Sequence, residues 1–563
     1  MSLRAAAIAL CFVLLILCLP SYVAQGESSL PPTPLPLYSL TQYPLPTGST
    51  GPNQITSDAK GGIWFVEQGS NQIGYYNPQT KSFSEYTIPT SNALPEGIAV
   101  DPHGEVWFDE LATNGLGVLS PGNGTIKEIT IPPGPDNIAC GPVGVTPQGN
   151  GSIWIACEFS DQIDEYVPSQ GILKQFDLPI AFSAPLQILF DRSGNLWFTA
   201  ADAGMLGTAA LNQLKPGTTD GIREFAPLNG SYVTTIVNPL LPSGAVRTSL
   251  AIPSLMAFSP DGGSIWISEH GAGSFDRYDM VSGSLTKYFT SPPSSGLYTQ
   301  SLPNGIAVDG SGYVWVAEHY GNRIAEFDPS TNQMLEYPVP CCKSTIAATL
   351  YLTTGANGTV WFTENFGNAI GELSPTGLPA PITVSLSPND ISLGSSGGET
   401  ISVYISPSSA GAGPLGNLTF DATGITRSGA LENLTATFGS AGRAGNDSGE
   451  SAPLTLDSSG LRPGSYYITV GAVSSETGLI SSTVLVLTVS QAFQFFWVAL
   501  IVVCAAAAAA LVLMFRRKSA RKRHGSTPIV HGKRPVIPVV RRERGGGMQP
   551  LPPVWRSARS EEG

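Results

Sequence analysis

The stretch Pro303-Asn304-Gly305-Ile306-Ala307-Val308-Asp309 runs on through Gly312-Tyr313-Val314-Trp315-Val316-Ala317-Glu318 to Asn322-Arg323-Ile324 and Phe327-Asp328-Pro329. Short alternating apolar runs broken by tight turns read as antiparallel strands. The same pattern recurs seven times, with tryptophans at Trp64, Trp107, Trp154, Trp197, Trp266, Trp315 and Trp361, spaced 43, 47, 43, 69, 49 and 46 residues apart. A period near 40 to 50 residues with four short strands per unit predicts a β-propeller. Outer strands are expected at 83–88, 126–131, 172–178, 222–225, 285–289 and 334–339, and none follows Trp361. Tyr38-Ser39-Leu40-Thr41-Gln42-Tyr43-Pro44-Leu45, ahead of the first repeat, has the character of an outer strand. It is therefore expected to complete the last blade and close a seven-bladed ring, leaving no open edge. The long interval after Trp197 places an insertion around 227–250 in a connection between blades.

Working outward, 563 residues exceed a single small domain. Only 13% are charged, and 63 Gly with 47 Pro suit a turn-rich all-β chain rather than a helical bundle. Arg4, an apolar run over 5–19 and small residues ending at Ala24-Gln25-Gly26 read as a signal peptide over 1–26. Phe493 to Phe515 is an uncharged run long enough to cross a bilayer, and Arg516-Arg517-Lys518 begins a basic flank. The expected product is a single-pass cell-membrane protein, its ectodomain outside and its tail, 516–563, cytoplasmic. That tail holds 13 Lys and Arg against 3 Asp and Glu, while 27–515 holds 15 against 39. An acidic exterior argues against nucleic-acid binding, and the basic tail suits acidic headgroups.

Between 380 and 490 the tryptophan repeat gives way to alternating runs such as Ile401-Ser402-Val403-Tyr404-Ile405 and Val484-Leu485-Val486-Leu487. These suggest an immunoglobulin-like β-sandwich that spaces the propeller, 37–377, from the membrane.

Antiparallel order puts the residues just after each tryptophan strand on one face, together with the connections between blades. Three positions beyond the tryptophan stand Glu67, Glu110, Glu269, Glu318 and Glu364, with Cys157-Glu158 in the third repeat and Ala200 in the fourth. Glu269-His270 and Glu318-His319 lie on adjacent blades in a chain of only 5 histidines. Repeated carboxylates can hold a hard divalent cation and imidazoles can move protons, so His270, His319, Glu269 and Glu318 are the candidate catalytic residues. A glutamate that recurs in most blades can equally accept hydrogen bonds from loop amides. Cys140 precedes the first strand of the third repeat and Cys157 ends its second, so antiparallel pairing brings them together as a disulfide. For Cys341 and Cys342 an adjacent disulfide, free thiols or a metal contact remain open. Glycosylation triplets begin at Asn123, Asn150, Asn229, Asn357, Asn417, Asn433 and Asn446.

The run Trp361-Phe362-Thr363-Glu364, with Asn368-Ala369-Ile370-Gly371, resembles the blade motif of the virginiamycin B lyase (streptogramin lyase) family, over about 38–377. The resemblance implies a seven-bladed propeller that opens the ester of cyclic streptogramins by elimination, assisted by Mg2+. It also implies a general acid/base histidine after proline in a Pro-His-Gly-Ile element. The matching positions here hold Asn53, Glu96, Val143, Leu186, Ser254, Asn304 and Leu350, none of them histidine. The family's magnesium-holding glutamate corresponds to Glu158 or Glu364, and His270 or His319 would have to supply the base from another loop. Asn304-Gly305 also resembles a calcium-binding asparagine of gluconolactonase-like and regucalcin-like propellers. The expectation is an extracellular glycoprotein binding a small molecule, glycan or envelope protein on an acidic face. The alternatives are a metal-assisted carbon–oxygen lyase acting on a cyclic ester, or a structural envelope protein.

Overall fold

A computed structural model describes residues 34–225, 233–237, 246–250, 252–271, 273–291, 301–340, 347–387, 389–394, 398–407, 418–426, 435–438, 450–457, 463–474, 477–490 and 509–510. The expected signal peptide, the membrane span apart from 509–510, the tail, Cys341, Cys342, Asn229, Asn417, Asn433 and Asn446 lie outside these residues. Among the described residues no helix is long and apolar enough to cross a membrane.

The repeat folds as antiparallel four-stranded blades. In the first, Pro52–Ser57, Ile63–Glu67, Gln72–Asn77 and Ser82–Thr87 pair in chain order. Sheets with the same order follow over 98–130, 142–177, 185–225 and 253–289. The N-terminal strand Pro36–Pro44 pairs with Ala369–Pro379, Leu40 opposite Leu373, and is the outer strand of the last blade. Tyr43 stacks on Trp361 with ring centroids 5.7 Å apart and donates to Glu372 at 2.7 Å. The chain's first described strand thus locks onto its last repeat by backbone pairing and packing.

Six of these blades are free-standing four-stranded sheets, which corrects the expected seven. The four strands Pro303–Val308, Val314–Glu318, Arg323–Asp328 and Gln333–Pro338 belong instead to an eight-stranded sheet. Its outer strand Gln333–Pro338 pairs with Ile480–Ser490, Gln333 opposite Thr483 and Glu336 opposite Ile480. That pairing buries Met334 and Leu335 fully, whereas the unpaired outer strand Ser82–Thr87 has no buried residue. First strands neighbour one another around one axis, from 52–57 through 98–100, 142–147, 185–190, 253–258, 303–308 and 349–354 and back to 52–57. They enclose a channel cavity of about 420 Å³ lined by Gln54, Gln187, Met256 and Tyr351 among others.

The recurring residues have local reasons. Asp58, Asp101, Asp191 and Asp309 each accept the indole N–H of the tryptophan six positions on, at 3.0 to 3.1 Å. Their other carboxylate oxygens accept turn amides, which welds the first hairpin. Gly371 stands opposite Phe362, and a Cβ there would lie 2.1 Å from the phenyl ring. Only glycine lets that ring cover the sheet.

Beyond residue 380 two sheets share one apolar core of Ile382, Val384, Leu454, Leu456, Ile468, Val470, Leu485 and Leu487. One of them is the eight-stranded sheet that contains the blade. Thr483 donates to the Asn332 carbonyl at 3.2 Å, Thr469 to that of Phe289 at 3.0 Å, and Val484 packs against Phe327 and Met334. This fusion was not visible in the sequence. The insertion after Phe225 contains a hairpin, Val233–Val237 with Val246–Leu250.

Candidate functional site

The glutamates three residues beyond the tryptophans do not line an open face. Glu67, Glu318 and Glu364 have no exposed surface, and Glu110 and Glu269 are also buried. Glu67 accepts from Ser70 at 3.3 Å, Glu110 from Thr113 at 2.8 Å, and Glu364 from Gln42 of the closing strand at 2.8 Å. Glu318 accepts from Arg323 Nε at 3.1 Å and Nη2 at 2.8 Å. Glu269 shares its buried surroundings with the Lys287–Asp276 ion pair, 2.7 Å long. Burial pushes the carboxyls of Glu67 and Glu364 up to about 7. At Glu318 burial pushes the same way and the Arg323 charge opposes it. One oxygen of each of these five glutamates is buried without a protein partner, as suits a carboxyl that readily keeps its proton. Glu269 and Glu318, expected on an open acidic face, are instead buried within their blades.

His270 and His319 do meet. His270 Nε2 lies 3.3 Å from His319 Nδ1, with ring centroids 5.6 Å apart, and His319 stacks on Tyr320 at 4.2 Å. Their amides bond the carbonyls of Ile252 and Leu302, in the segments that lead into the first strands of their repeats. Burial lowers His270 to about 4, and burial together with the His270 charge lowers His319 to about 3. Both rings are neutral at physiological pH, one N–H shared between them. A general base works best with a pKa near the working pH, so this pair is better fitted to hydrogen-bond a ligand than to take its proton.

A group with such a pKa precedes the first strand of the second repeat, beside Tyr351, which lines the channel cavity. Glu96 is pushed up to about 7 by burial and then by the charge of Glu158, and its carboxylate lies 3.5 Å from the Tyr351 hydroxyl. Asp109 fixes the position by accepting the amides of Glu96 at 2.9 Å and Gly97 at 2.8 Å. In the other six repeats the first strand is bulged at this point. Thr199, Ser268 and Thr363 accept the freed amide where Asp109 does. The bulge re-aims the side chains that open each first strand. Asn304 donates to the Leu350 carbonyl at 3.2 Å beside Tyr351. A Cβ on Gly305 would come within 2.9 Å of that same backbone, so glycine is needed for the close approach. Glu158 is partly buried and raised by burial and by Asp202, which is exposed on the loop of the next blade.

Sequence reasoning set Glu96 aside because it is not histidine. Its signal was the position itself: a lone acid among Asn53, Val143, Leu186, Ser254, Asn304 and Leu350.

The structure does not bring Glu158 and Glu364 together. The first follows strand Ile153–Cys157 of the third blade, and the second ends Val360–Glu364 of the last, bonded to Gln42. Among the described residues the one group of three converging metal donors is Cys140, Cys157 and Asp164. Its two sulfurs are joined to each other, S–S 2.04 Å. Two disulfide-bonded sulfurs and one carboxylate do not make a site for a hard cation, and no chemical step is routed through a metal. Asn123, Asn150 and Asn357 are exposed in turns.

Residues 38–163 match the virginiamycin B lyase family, and residues 187–356 match the SMP-30/gluconolactonase/LRE-like region. The first part of the propeller is thus similar to the virginiamycin B lyase family and the later part to the gluconolactonase-like one. Pentonolactonase XacC of Haloferax volcanii is 29% identical over 151 residues, which are 25% of this chain and 47% of that protein. The chain thus spans about half the length of this curated relative. A streptogramin B lyase structure is 26% identical and covers 60% of this chain and 98% of its own, with a TM-score of 0.48. Virginiamycin B lyase from Staphylococcus aureus is 25% identical, covers 60% and 99%, and has the same TM-score, 0.48. The first match covers the half that carries Glu96 and Glu158, the second the half that carries His270, Asn304, His319 and Tyr351.

Proposed function

We propose that the channel mouth binds a small, oxygen-rich cyclic ester. The observation that carries this reading is the span from Tyr351 to Glu96, 3.5 Å between oxygens contributed by the last and second repeats. The two groups are polar yet largely uncharged near neutrality, a phenol and a carboxyl titrating at about 7, and two neutral imidazoles follow the second strands of the fifth and sixth repeats. Such an array donates to and accepts from carbonyl, ring-ester and hydroxyl oxygens without drawing in ions. One matched family model and one relative carry names that refer to lactones, gluconolactonase and pentonolactonase. The test is calorimetric titration of the full-length protein with a panel of γ- and δ-lactones and cyclic depsipeptides. A ring should bind, and Glu96→Gln and Tyr351→Phe should each weaken it about tenfold, as loss of a buried hydrogen-bond partner predicts. Equal affinity in both variants contradicts the reading.

A second reading, ring opening as in the lyases, is favoured by one feature. Glu96 occupies the kind of position where the resembled family carries its acid/base histidine, and its pKa near 7 suits proton transfer. Turnover rising with pH through about 7 and lost in Glu96→Gln would support it; a profile unchanged in Glu96→Gln would remove it.

For the chain as a whole the reading is an exported, glycosylated, single-pass membrane protein. Its tail rests on the cytoplasmic leaflet and its region 380–490 serves as an immunoglobulin-like spacer. The basic flank after 515 and the acidic balance before it support this. Protease protection of the tail in intact cells tests it, and cleavage there from outside contradicts it. Binding of a glycan or envelope protein on the same face, and assistance by a divalent cation, are further proposals for the mouth. Titration with Mg2+ alone checks the cation.

A further inference from the structure

Large apolar side chains gather in the loops on the mouth side. Phe159 is 54% exposed, Phe182 81% and Phe366 56%, with Leu94 at 41% and Ile138 at 45%. All five lie either in the turn joining second to third strands or in a connection between blades, the segments that share the face of the mouth.

Two of them are held rigidly outward. Phe182 has a left-handed backbone, φ 61, as does Ala184, φ 47. In the connections entering the first and second repeats the same two places hold Ser49 and Gly51, and Asn92 and Leu94. A bulky residue at positive φ is costly, and one that is also exposed has nothing in the fold to repay it. The conformation is enforced by the Asp161 carboxylate, which accepts the amides of Phe182 at 2.6 Å and Ala184 at 2.9 Å. Glu224 accepts the Ile180 amide at 2.9 Å and also holds the Ser183 hydroxyl. The Phe159 ring lies over Gly141, where a Cβ would stand 2.4 Å away, next to the Cys140–Cys157 disulfide. These are preorganised apolar anchors of the kind that dominate protein interfaces.

Acids are interleaved with them. Glu158 precedes Phe159, Asp202 is exposed on the neighbouring blade, and exposed Asp136 lies two residues from Ile138. The whole of 27–515 carries 39 acidic against 15 basic residues. We propose that this face docks a basic, apolar-bearing polypeptide, with Phe159 and Phe182 as anchors and Glu158, Asp202 and Asp136 meeting its cations. The anchors spread over several blades, which suits a macromolecular interface of standard size rather than the small ring bound in the mouth. The proposal is independent of that reading.

The test measures binding of a fluorescent amphipathic lysine–leucine peptide to the full-length protein by anisotropy, at low and physiological salt. Phe182→Asn installs the residue that Asn92 supplies in the connection entering the second repeat, so the melting temperature should hold or rise. Affinity should fall at least about tenfold, the loss expected for an aromatic anchor. Asp202→Asn should weaken binding less and reduce its salt dependence. Val281→Asn, 93% exposed on the opposite face, should change neither. Unchanged affinity in Phe182→Asn, or equal binding of a glutamine–leucine peptide, overturns the proposal. Both outcomes can be read while Glu96 and its ligand remain intact.

Discussion

Two sets of glutamates occupy this propeller, and they behave in opposite ways. Glu67, Glu110, Glu269, Glu318 and Glu364 recur at one position of the repeat, are buried, and bond to their own blade or to the closing strand. Glu96 stands once, at a place where other repeats carry Asn, Val, Leu or Ser, and lies beside Tyr351, which lines the channel. Repetition in a ring marks what every sector needs in order to pack. A ligand on the axis meets each sector with a different side chain, so function is written in the departures from the repeat.

The largest effect is expected at Arg323. Its guanidinium is buried against Glu318 at 2.8 Å, with Glu336 3.9 Å away. Arg323→Met should cost about 3–5 kcal/mol in urea unfolding, because it strands buried carboxylates. A loss below about 1 kcal/mol would mean that the repeated glutamates are not packing groups. Next in size, Glu364→Ala removes the acceptor of Gln42 and loosens the closing strand, with an expected loss of about 1–3 kcal/mol. Hydrogen exchange should then accelerate in 36–44 before the rest of the ring.

A smaller effect sharpens the contrast through pH. Unfolded, Glu67, Glu96 and Glu364 ionise near 4.5; folded, they hold their protons to about 7. Asp164 is similarly raised, from 3.8 to about 8. Across that interval the unfolded chain binds fewer protons, so stability falls as pH rises from about 5 to 7. His270 and His319 act oppositely. Lowered from 6.5 to about 4 and 3, they withdraw stability as pH falls below 6.5. Four acids outweigh two imidazoles, so melting temperature should decline from pH 5 to pH 7. The decline should be shallower in Glu67→Gln. A rise over the same range contradicts these burial shifts. The smallest effect belongs to Glu96→Gln, which should alter stability by no more than about 0.5 kcal/mol while weakening the ligand.

Much of this was legible in the residues. The tryptophan spacing gave the blade repeat, and the tyrosine-rich segment before the first repeat gave the closure, because both are patterns of period and turn chemistry. The fusion of the strand Gln333–Pro338 to Ile480–Ser490 was not legible, since partner choice across about 150 residues leaves no local mark. The Glu269-His270 and Glu318-His319 pairs were half read. The sequence shows that each glutamate adjoins its histidine along the chain, but not that the acids turn inward while the imidazoles meet at 3.3 Å. Glu96 was passed over because the family position calls for a histidine, and the burial that raises its carboxyl to about 7 leaves no mark in the residues around it.

The most direct test is carboxyl footprinting of the native protein with a carbodiimide and an amine, read residue by residue by mass spectrometry. Glu96, Glu158 and Asp202 should be modified, and prior addition of a bound ring ester should protect Glu96. Glu67, Glu110, Glu318 and Glu364 should stay unmodified until the chain unfolds. Modification of those four at the rate of Asp202 would place them on an open face and contradict the division of the acids into sealed and accessible sets.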